Sequence, residues 1–329
     1  MNIVNKLLVT FLTTSLMIGP AFAGDYSDRA EVSEFIERIA KKSEYSQLEL
    51  EILFGQVKKQ SHLFERLNKP AEKELQWYQY RRIFLKQKRI NKGLDFWQKH
   101  EKLINTVSHK TGVSAEIIVA IIGVETFYGI YRGKDPVFDS LVTLAFDYPK
   151  RAKFFKRELE QYLLLVKEQN FAPRDLKGSY AGAMGMPQFI SSSYRRYAVD
   201  YDGDGQVDLF NNIGDIIASV ANYFVDHGWQ RGKGIAYPLI ALEENRISDI
   251  VPGVKTDYEW KTLSESGLVS REKLAGDTPV ALIQLMQKDH PEYWVGLKNF
   301  YVITRYNHSE LYAMAVYQLA QKLKAGMGL

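Results

Sequence analysis

Cysteine is absent from all 329 residues of the sequence. Disulfide bridges are therefore excluded, and so are the small secreted scaffolds that depend on such bridges for their stability. The same absence excludes a lipid-modified cysteine after a leader segment. The chain must be stabilised by a hydrophobic core instead, and a hydrophobic fraction of 46% over this length is enough to form one.

Runs of five or six like charges are also absent, and the formal net charge is only +4. A nucleic-acid-binding protein typically concentrates its basic residues in a stripe or patch, so we expect no nucleic-acid partner. A weakly basic protein is nevertheless attracted to an acidic polymer.

Beyond residue 23, no hydrophobic run is long enough to cross a bilayer. The first 23 residues combine Lys6, an apolar run over Leu7–Ile18, a break at Pro20 and the small-residue sequence Ala21–Ala23. This pattern predicts a secretory signal peptide that is cleaved near Ala23. A membrane anchor is the alternative, but the apolar run is shorter than the ~20 residues that a spanning helix needs. We expect a soluble periplasmic protein.

Hydrophobic periodicity predicts a mainly α-helical fold with a small β-containing insertion, without internal repeats. We expect an N-terminal helical domain over 24–90, a core formed by 91–235 and 300–329, and an insertion over 236–299. Two segments in this part of the chain, Pro279–Met286 and Asn299–Tyr306, have the composition of strands.

Several helix boundaries are predicted from capping residues. A long helix over Asn91–Lys110 should stop at Gly112, and Ser114 should cap the next helix. That next helix should end at Gly129, since glycine suits the left-handed position after a helix. Asp139 should cap the helix that follows.

Glu125 is the strongest candidate for a catalytic group. It follows Ile118, Ile121 and Ile122 by seven, four and three residues, so a helix places all four side chains on one face. Burial on that face and a place in the last helical turn would both raise the pKa of the carboxyl group. A carboxylic acid that stays protonated near neutral pH suits the general-acid step of glycosidic bond cleavage. Position alone is equally compatible with a structural Glu paired with a buried Arg or Lys.

Five segments of the chain bear on the choice between a catalytic and a structural Glu125. In order they are IIGVETFYG (Ile121–Gly129), SYAGAMGMPQF (Ser179–Phe189), AVDYDGDGQVDLF (Ala198–Phe210), ASVANYF (Ala218–Phe224) and the stretch Asn299–Ala320. Together they resemble the B-type lytic murein transglycosylases, and the resemblance extends from about Trp77 to the end of the chain. It implies a goose-lysozyme-like core and an enzyme of the lyase class, which cleaves peptidoglycan glycan strands.

The resemblance also implies a reaction without water in which Glu125 is the single acid/base. Glu125 would protonate the oxygen of the β-1,4 bond between N-acetylmuramic acid and N-acetylglucosamine. It would then accept the proton of the muramic acid C6 hydroxyl, which attacks C1 and closes a 1,6-anhydro ring, while the substrate's N-acetyl group stabilises the charge at C1. Most glycosidases need two carboxylates. The other candidates here are Asp135 and Asp139, but an internal hydroxyl nucleophile needs neither.

The resemblance further implies a set of substrate-binding residues: Ser179, Gln188, Phe189, Tyr80, Tyr223, Tyr306 and Tyr312. Tyrosine offers both an apolar ring face and a hydroxyl, which a sugar-binding groove can use. The small residues Ala181, Gly182, Ala183 and Gly185 would let the backbone approach the sugar closely. A tight turn between two helices is the alternative interpretation of that stretch.

An acidic loop begins at Asp200 and has the first half of an EF-hand pattern. Asp200, Asp202 and Asp204 occupy the first, third and fifth positions, Gly205 the sixth, and Gln206 the seventh, which offers a backbone carbonyl. Acidic groups at this spacing converge on one cation.

The closing ligand of this loop departs from the pattern, because Asn211 stands at the twelfth position, where a bidentate Glu is usual. The related enzymes close a longer loop with a later Asp, and Asp215 is the equivalent here, displaced by one residue. We expect a structural Ca²⁺, with Na⁺ as an alternative ion, and no cofactor for catalysis. An acidic turn without metal is the competing interpretation.

Two other functions are compatible with the sequence. One is a non-catalytic peptidoglycan-binding scaffold, which the intact Glu125, Ser179 and Gln188 argue against. The other is a hydrolytic muramidase on the same fold. In each case we expect a monomer whose partners are glycan strands and other cell-wall enzymes.

Overall fold

The computed structural model describes residues 24–68, 74–241 and 250–329. The predicted signal peptide lies outside the described residues. The chain divides into two compact units, one that ends at Lys58 and one over Lys59–Leu329. Each unit is described by itself.

The first unit contains helices α1 (Ala30–Ala40) and α2 (Gln47–Phe54). Helix α1 buries one face, with Phe35 packed against Phe54 of α2 at a ring separation of 6.0 Å. Helix α2 begins with a capping box, in which the Ser46 hydroxyl accepts from the Glu49 amide and the Glu49 carboxylate accepts from the Ser46 amide. These reciprocal bonds satisfy amides at the helix start that have no partner within the helix.

The second unit is mainly helical. Its first helices are α3 (Leu63–Asn68), α4 (Trp77–Phe84), α5 (Gln87–Lys99), α6 (Glu101–Thr111), α7 (Ala115–Thr126), α8 (Val137–Asp147) and α9 (Ala152–Glu168). They are followed by α10 (Ser191–Tyr197), α11 (Ile213–Asp226), α12 (Trp260–Glu265), α13 (Lys298–Ile303) and α14 (Glu310–Gly326). The short strands β1 (Asp135–Pro136) and β2 (Lys177–Gly178) pair antiparallel between these helices.

A second sheet lies between α11 and α13 in the sequence. Its strands are β3 (Ala236–Ala241), β4 (Tyr258–Glu259), β5 (Leu268–Ser270), β6 (Pro279–Met286) and β7 (Pro291–Gly296). Within the described residues their order is β4-β6-β7-β3-β5, and every pairing is antiparallel. One face of this sheet covers a small core of its own that includes Leu263, Leu282 and Val295. Pro279–Met286 is therefore confirmed as a strand.

Helix α7 is the centre of the second unit. It packs against α5, α6, α11 and α14, and its residues from Ile117 to Ile122 are completely buried. A helix that is apolar on all sides is stable only inside a core, because burial of that surface offsets the entropy of ordering it. The apolar composition of α7 is therefore consistent with its buried position in the core.

Two predicted elements are wrong. Asn299–Tyr306 is not a strand, because its first part forms helix α13, with Phe300 and Val302 buried. The long helix over Asn91–Lys110 is divided at His100, which ends α5 and precedes α6 with φ −117° and ψ 20°. The predicted stop at Gly112 is confirmed, since Gly112 has φ 78° at the end of α6.

Two predicted helix ends also differ from the structure. Helix α7 begins after Ser114, as expected, but it ends at Thr126 rather than at Gly129. Asp139 is not a cap, because helix α8 already begins at Val137 and Asp139 lies in its first turn. The fold class is confirmed as mainly helical with a small sheet. Among the described residues, no single helix is long and apolar enough to cross a membrane.

Candidate active site

Glu125 lies where the buried helix α7 reaches solvent. Within the fully described stretch Ile117–Tyr128, every residue except Glu125 is buried, and Glu125 itself is partly exposed. The packing of the helix therefore directs one carboxyl group, and no other polar side chain of this stretch, towards solvent.

The backbone that follows Glu125 is strained. Phe127, Tyr128 and Gly129 have φ values of 52°, 57° and 84°, so three consecutive residues adopt the left-handed conformation. For residues with a side chain this costs roughly 1–2 kcal/mol each. Strain of this kind persists only where the surrounding structure enforces it, and it is common at functional sites.

Tyr128 shows what enforces the turn. Its hydroxyl is buried between α5 and α7, and a Cβ added at Gly93 or Gly123 would lie 2.2 or 2.4 Å from it. Burial raises the pKa of Tyr128, so the phenol remains neutral. The two glycines therefore make room for a ring that fixes the end of the helix bearing Glu125.

Thr126 connects the same helix end to the glycine-rich stretch. Its completely buried hydroxyl donates to the Met186 carbonyl at 3.0 Å and accepts from the Gly129 amide at 3.0 Å. Buried hydroxyl groups are costly unless they are paired, so these bonds hold the two segments together.

Three tyrosines lie near the Glu125 carboxyl group, and one of them is hydrogen-bonded to it. Tyr312, on α14, donates to Glu125 Oε1 at 2.5 Å. Burial raises the pKa of Tyr312, and the neighbouring Glu125 raises it further. Burial also raises the pKa of Tyr306, with Glu125 as the next cause. The pKa of Tyr223 is raised mainly by burial, then by Tyr197, and to a smaller extent by Glu125. Three of the four predicted tyrosines, Tyr223, Tyr306 and Tyr312, therefore lie within electrostatic range of Glu125.

Aromatic rings pack together near Glu125, and this cluster with Glu125 is referred to as the cleft. Phe189 lies 5.6 Å from Tyr223 and 5.8 Å from Tyr306, and these two tyrosines are 4.7 Å apart. Their hydroxyls donate to backbone carbonyls, Tyr223 to Arg305 at 2.6 Å and Tyr306 to Pro187 at 2.7 Å. Tyr80, on α4, is within electrostatic range of the Tyr312 hydroxyl. The predicted aromatic residues therefore meet at one place.

Ser179 and Gln188 make hydrogen bonds to the backbone. The Ser179 hydroxyl accepts from the Ala183 amide at 3.0 Å, which closes the turn over Gly182. The Gln188 side-chain amide donates to the carbonyls of Gly185, at 2.9 Å, and Arg132, at 3.2 Å. Both residues shape the stretch that faces the cleft, and the close approach of Gly185 to the Leu209 carbonyl explains why a glycine is needed there.

Arg132 was missed by the sequence analysis. Its guanidinium donates to the Gly129 carbonyl at 2.9 Å and also to the Phe210 carbonyl, so it joins the turn after α7 to the end of the acidic loop. A single arginine in a loop carries no pattern that would indicate this role.

Asp135 and Asp139, the other carboxylates considered, are buried in ion pairs. Asp135 contacts His62 at 2.7 Å and Arg66 at 3.0 Å, and Asp139 contacts Arg174 at 3.2 Å. Buried ionised groups require such partners, so both side chains have a structural explanation.

The acidic loop brings its first three carboxylates together. One oxygen from each of Asp200, Asp202 and Asp204 lies within 4.8 Å of the others. The amides of Gly203 and Gly205, both in left-handed conformation, donate to Asp200, and the Gly205 bond is the main cause that lowers its pKa. Oxygens around one Ca²⁺ lie up to about 5 Å apart, because each is about 2.3–2.6 Å from the ion. The three carboxylates fit such an ion.

Asp215 and Gln206 occupy different places in this loop. Asp215 is completely buried, and its two oxygens accept from the amides of Tyr201 at 2.9 Å and Asp208 at 2.7 Å. Burial raises its pKa. Gln206 is exposed, and its backbone amide donates to the Asp204 carboxylate at 2.8 Å. Asp215 thus closes the loop through backbone hydrogen bonds.

Fold and site together define a class of protein: a helical scaffold that presents a carboxyl group in an aromatic cleft, as carbohydrate-cleaving enzymes do. Residues 27–321 match the family model of the transglycosylase SLT domain. The membrane-bound lytic murein transglycosylase B of Escherichia coli (strain K12) is 38% identical over 307 residues, which cover 91% of this chain and 84% of that protein. The chain therefore belongs to the transglycosylase SLT family and is a lytic transglycosylase of the B type.

Solved structures agree with this assignment. The soluble lytic transglycosylase SltB1 from Pseudomonas aeruginosa has a TM-score of 0.86 and 43% identity, covering 91% of this chain and 100% of that chain. The Escherichia coli lytic transglycosylase Slt35 in complex with calcium has a TM-score of 0.86 and 37% identity, with 93% and 96% coverage. SltB3 from Pseudomonas aeruginosa, in complex with NAG-anhNAM-pentapeptide, has a TM-score of 0.76 and 26% identity, with 93% and 80% coverage.

Proposed function

We propose that this enzyme cleaves the β-1,4 bond between N-acetylmuramic acid and N-acetylglucosamine in peptidoglycan and leaves 1,6-anhydro-N-acetylmuramic acid ends. The observation that carries the proposal is the partly exposed Glu125. Its carboxyl group lies near the end of a buried helix and accepts a hydrogen bond from the Tyr312 hydroxyl. A relative of the same family binds a fragment with an anhydro sugar.

Glu125 acts first as the acid. Its carboxyl proton passes to the bridging oxygen as the bond from that oxygen to C1 breaks, which releases the N-acetylglucosamine side as an alcohol. The proposal requires a protonated carboxyl group at this step, and the buried residues of α7 on either side of Glu125 limit its contact with water. Tyr312 remains a donor because its own pKa is raised, so it orients the carboxyl group throughout.

Glu125 then acts as the base. The carboxylate takes the proton of the C6 hydroxyl of the same muramic acid, and that oxygen forms the new bond to C1. The proton balance is closed, since Glu125 ends the cycle protonated and no water is consumed. A second carboxylate is not required, which is consistent with the ion pairing of Asp135 and Asp139.

Substrate contacts are assigned to the residues that meet at the cleft. The aromatic side chains of Tyr80, Phe189, Tyr223, Tyr306 and Tyr312 supply apolar faces and hydroxyls for sugar rings. Ser179 and Gln188 hold the turn that faces the reacting sugar.

The acidic loop is proposed to hold a structural Ca²⁺. Asp200, Asp202 and Asp204 supply carboxylate oxygens, the Gln206 carbonyl is the next donor in the pattern, and Asp215 closes the loop. A bound cation would neutralise the mutual repulsion of the acidic side chains, and it would take no part in the chemistry. Na⁺ is the alternative occupant.

The wider organisation also remains a proposal. We assign the catalytic core to 91–235 and 300–329, with the N-terminal helical domain over 24–90 and the insertion over 236–299. The protein acts as a periplasmic monomer, with cleavage of the signal peptide near Ala23, and other cell-wall enzymes are its expected protein partners.

Product analysis tests the reaction. Purified sacculi are digested with the enzyme, and the released fragments are measured by mass spectrometry. The proposal predicts anhydro-sugar ends. Fragments heavier by one water would instead identify a hydrolytic muramidase, and an absence of fragments would identify a binding protein without activity.

A further inference from the structure

Tyr131 lies five residues from the end of α7 and has no place in the reaction described above. It is 68% exposed, the largest exposed fraction among the tyrosines of the described residues. One face of its ring stacks on Phe127 at 5.9 Å with an interplanar angle of 18°, so the opposite face is directed to solvent. Ile130, its neighbour, is 51% exposed.

Tyr131 is fixed rather than mobile on the surface. Its amide donates to the Thr126 carbonyl at 2.9 Å, within the strained turn after Glu125. Phe127, on which it stacks, is buried and has the left-handed φ of 52°. The turn that positions Glu125 therefore also positions this exposed ring.

Contacts among aromatic rings and one guanidinium group connect Tyr131 to Tyr80. Phe127 contacts the guanidinium of Arg89 at 5.2 Å, and the same guanidinium lies 4.9 Å from the ring of Phe84. Phe84 lies 5.1 Å from Tyr80, which is assigned to the cleft. The exposed ring of Tyr131 is thus linked through packed side chains to a residue assigned to the substrate site.

Polar groups border this surface, as a sugar-binding site requires. A depression of about 600 Å³ adjoins Phe127 and Ile130, and its other side is formed by α5 residues that include Asn91, Lys92 and Asp95. Amide, ammonium and carboxylate groups can bond sugar hydroxyls and acetamido groups, while an open ring face packs against the apolar face of a sugar.

We propose that Tyr131, supported by Phe127, is a platform for a sugar of the glycan strand remote from the cleaved bond, which makes the enzyme select for longer strands. This inference rests on the proposed function. The occupant is a sugar rather than a protein because Tyr131 follows the turn after Glu125, the Phe127 ring on which it stacks adjoins polar groups that can bond a sugar, and a polymeric substrate must extend past the reacting pair.

The test compares two substrate lengths. Long peptidoglycan strands and a tetrasaccharide of alternating N-acetylglucosamine and N-acetylmuramic acid are digested by the wild type, Tyr131→Ala and Tyr131→Phe. For Tyr131→Ala we expect KM for long strands to rise about threefold to tenfold, the effect of one lost ring contact, with a smaller change for the tetrasaccharide. Tyr131→Phe keeps the ring and should retain most of the affinity. Leu48→Ala removes an apolar side chain that is 60% exposed and serves as the control.

A binding experiment distinguishes a failure of this inference from a failure of the proposed reaction. Glu125→Gln, with and without Tyr131→Ala, is sedimented with intact sacculi, and the bound fraction is measured. Weaker binding of the double variant supports the platform even if the wild type releases no fragments, a result that would contradict the proposed function alone. Unchanged binding and unchanged KM for long strands would overturn the inference. An equal loss of kcat on both substrates would also overturn the inference. Tyr131 would then affect the reaction through the turn that positions Glu125, and not through contact with a sugar.

Discussion

The cleft around Glu125 and the acidic loop after Asp200 are assembled in different ways. The cleft draws its side chains from segments that range from Tyr80 on α4 to Tyr312 on α14, and most of these side chains are buried. The loop takes its first three carboxylates from five consecutive residues, and these are largely exposed. The cleft is therefore held by packing and hydrogen bonds over long sequence distances, whereas the loop is organised by local turns and by the charge that it concentrates.

This difference decides what a change at each site does. A substitution in the cleft disturbs buried neighbours and strained backbone, so its effect should be large and present in all conditions. A substitution in the loop should act through the proposed cation, so its effect should be smaller and should vanish when the cation is removed. Four measurements test whether the two sites differ in this way.

Glu125→Gln should have the largest effect. The amide cannot deliver or accept a proton, so turnover should fall about 10²- to 10⁴-fold while the melting temperature stays close to that of the wild type. Glu116→Gln is the matched control in the first turn of the same helix, where the side chain pairs with Lys324 at 3.6 Å. The assignment of Glu125 fails if release of fragments from sacculi is equal in the two variants.

Gly123→Ala tests the packing behind the cleft. The new methyl group would lie 2.4 Å from the Tyr128 hydroxyl, so we expect a loss of about 1–3 kcal/mol in the free energy of unfolding, measured by urea titration. Gly253→Ala is the control, since nothing lies within 4 Å of its added methyl group. If both variants unfold at the same urea concentration, Tyr128 is not the constraint on this helix end.

Calcium should stabilise the protein through the acidic loop. With a Kd of about 10⁻⁴ to 10⁻³ M, 10 mM Ca²⁺ should raise the melting temperature by roughly 3–8 °C over that in a chelator. Asp204→Asn should reduce this shift, whereas Asp226→Asn, which alters an exposed pair with Arg196, should keep it. A wild type that melts at the same temperature with and without Ca²⁺ would contradict the proposed metal site.

Alkaline pH gives the smallest expected effect. Burial raises the pKa of Tyr317, on the same helix as Tyr312, to about 12. A folded pKa above the unfolded value of about 10 means that the stabilisation is complete below pH 10 and is lost as pH rises towards 12. Tyr317→Phe should therefore lose less stability than the wild type between pH 10 and 11, by about 1 kcal/mol or less, measured by urea unfolding. If the wild type and Tyr317→Phe lose the same free energy of unfolding between pH 10 and 11, Tyr317 makes no such contribution to stability.

The acidic loop shows what a sequence can reveal. The spacing of Asp200, Asp202 and Asp204 with Gly203 and Gly205 is a local pattern, and the structure brings these carboxylates together. The helices with strong periodicity, and the strand Pro279–Met286, were predicted for the same reason, since each depends on neighbours in the chain.

The cleft shows where sequence reasoning is insufficient. Asn299–Tyr306 is rich in residues that favour strands, yet it forms a helix because burial of Phe300 and Val302 outweighs propensity. The early end of α7 depends on Tyr128 packing between two glycines, one of them on another helix. Arg132 and Tyr131 gain their roles only from residues far away or from a strained turn. The resemblance to a family supplied the cleft tyrosines, which local patterns do not distinguish from core residues.

Digestion of sacculi in water enriched in ¹⁸O shows whether water or the C6 hydroxyl attacks C1. If the C6 hydroxyl is the nucleophile and Glu125 the only acid/base, the new muramic acid ends carry no ¹⁸O, and no labelled reducing ends form. Incorporation of one ¹⁸O atom at each new end would show that water attacks C1, and the account of a single carboxyl group acting on an internal hydroxyl would be wrong.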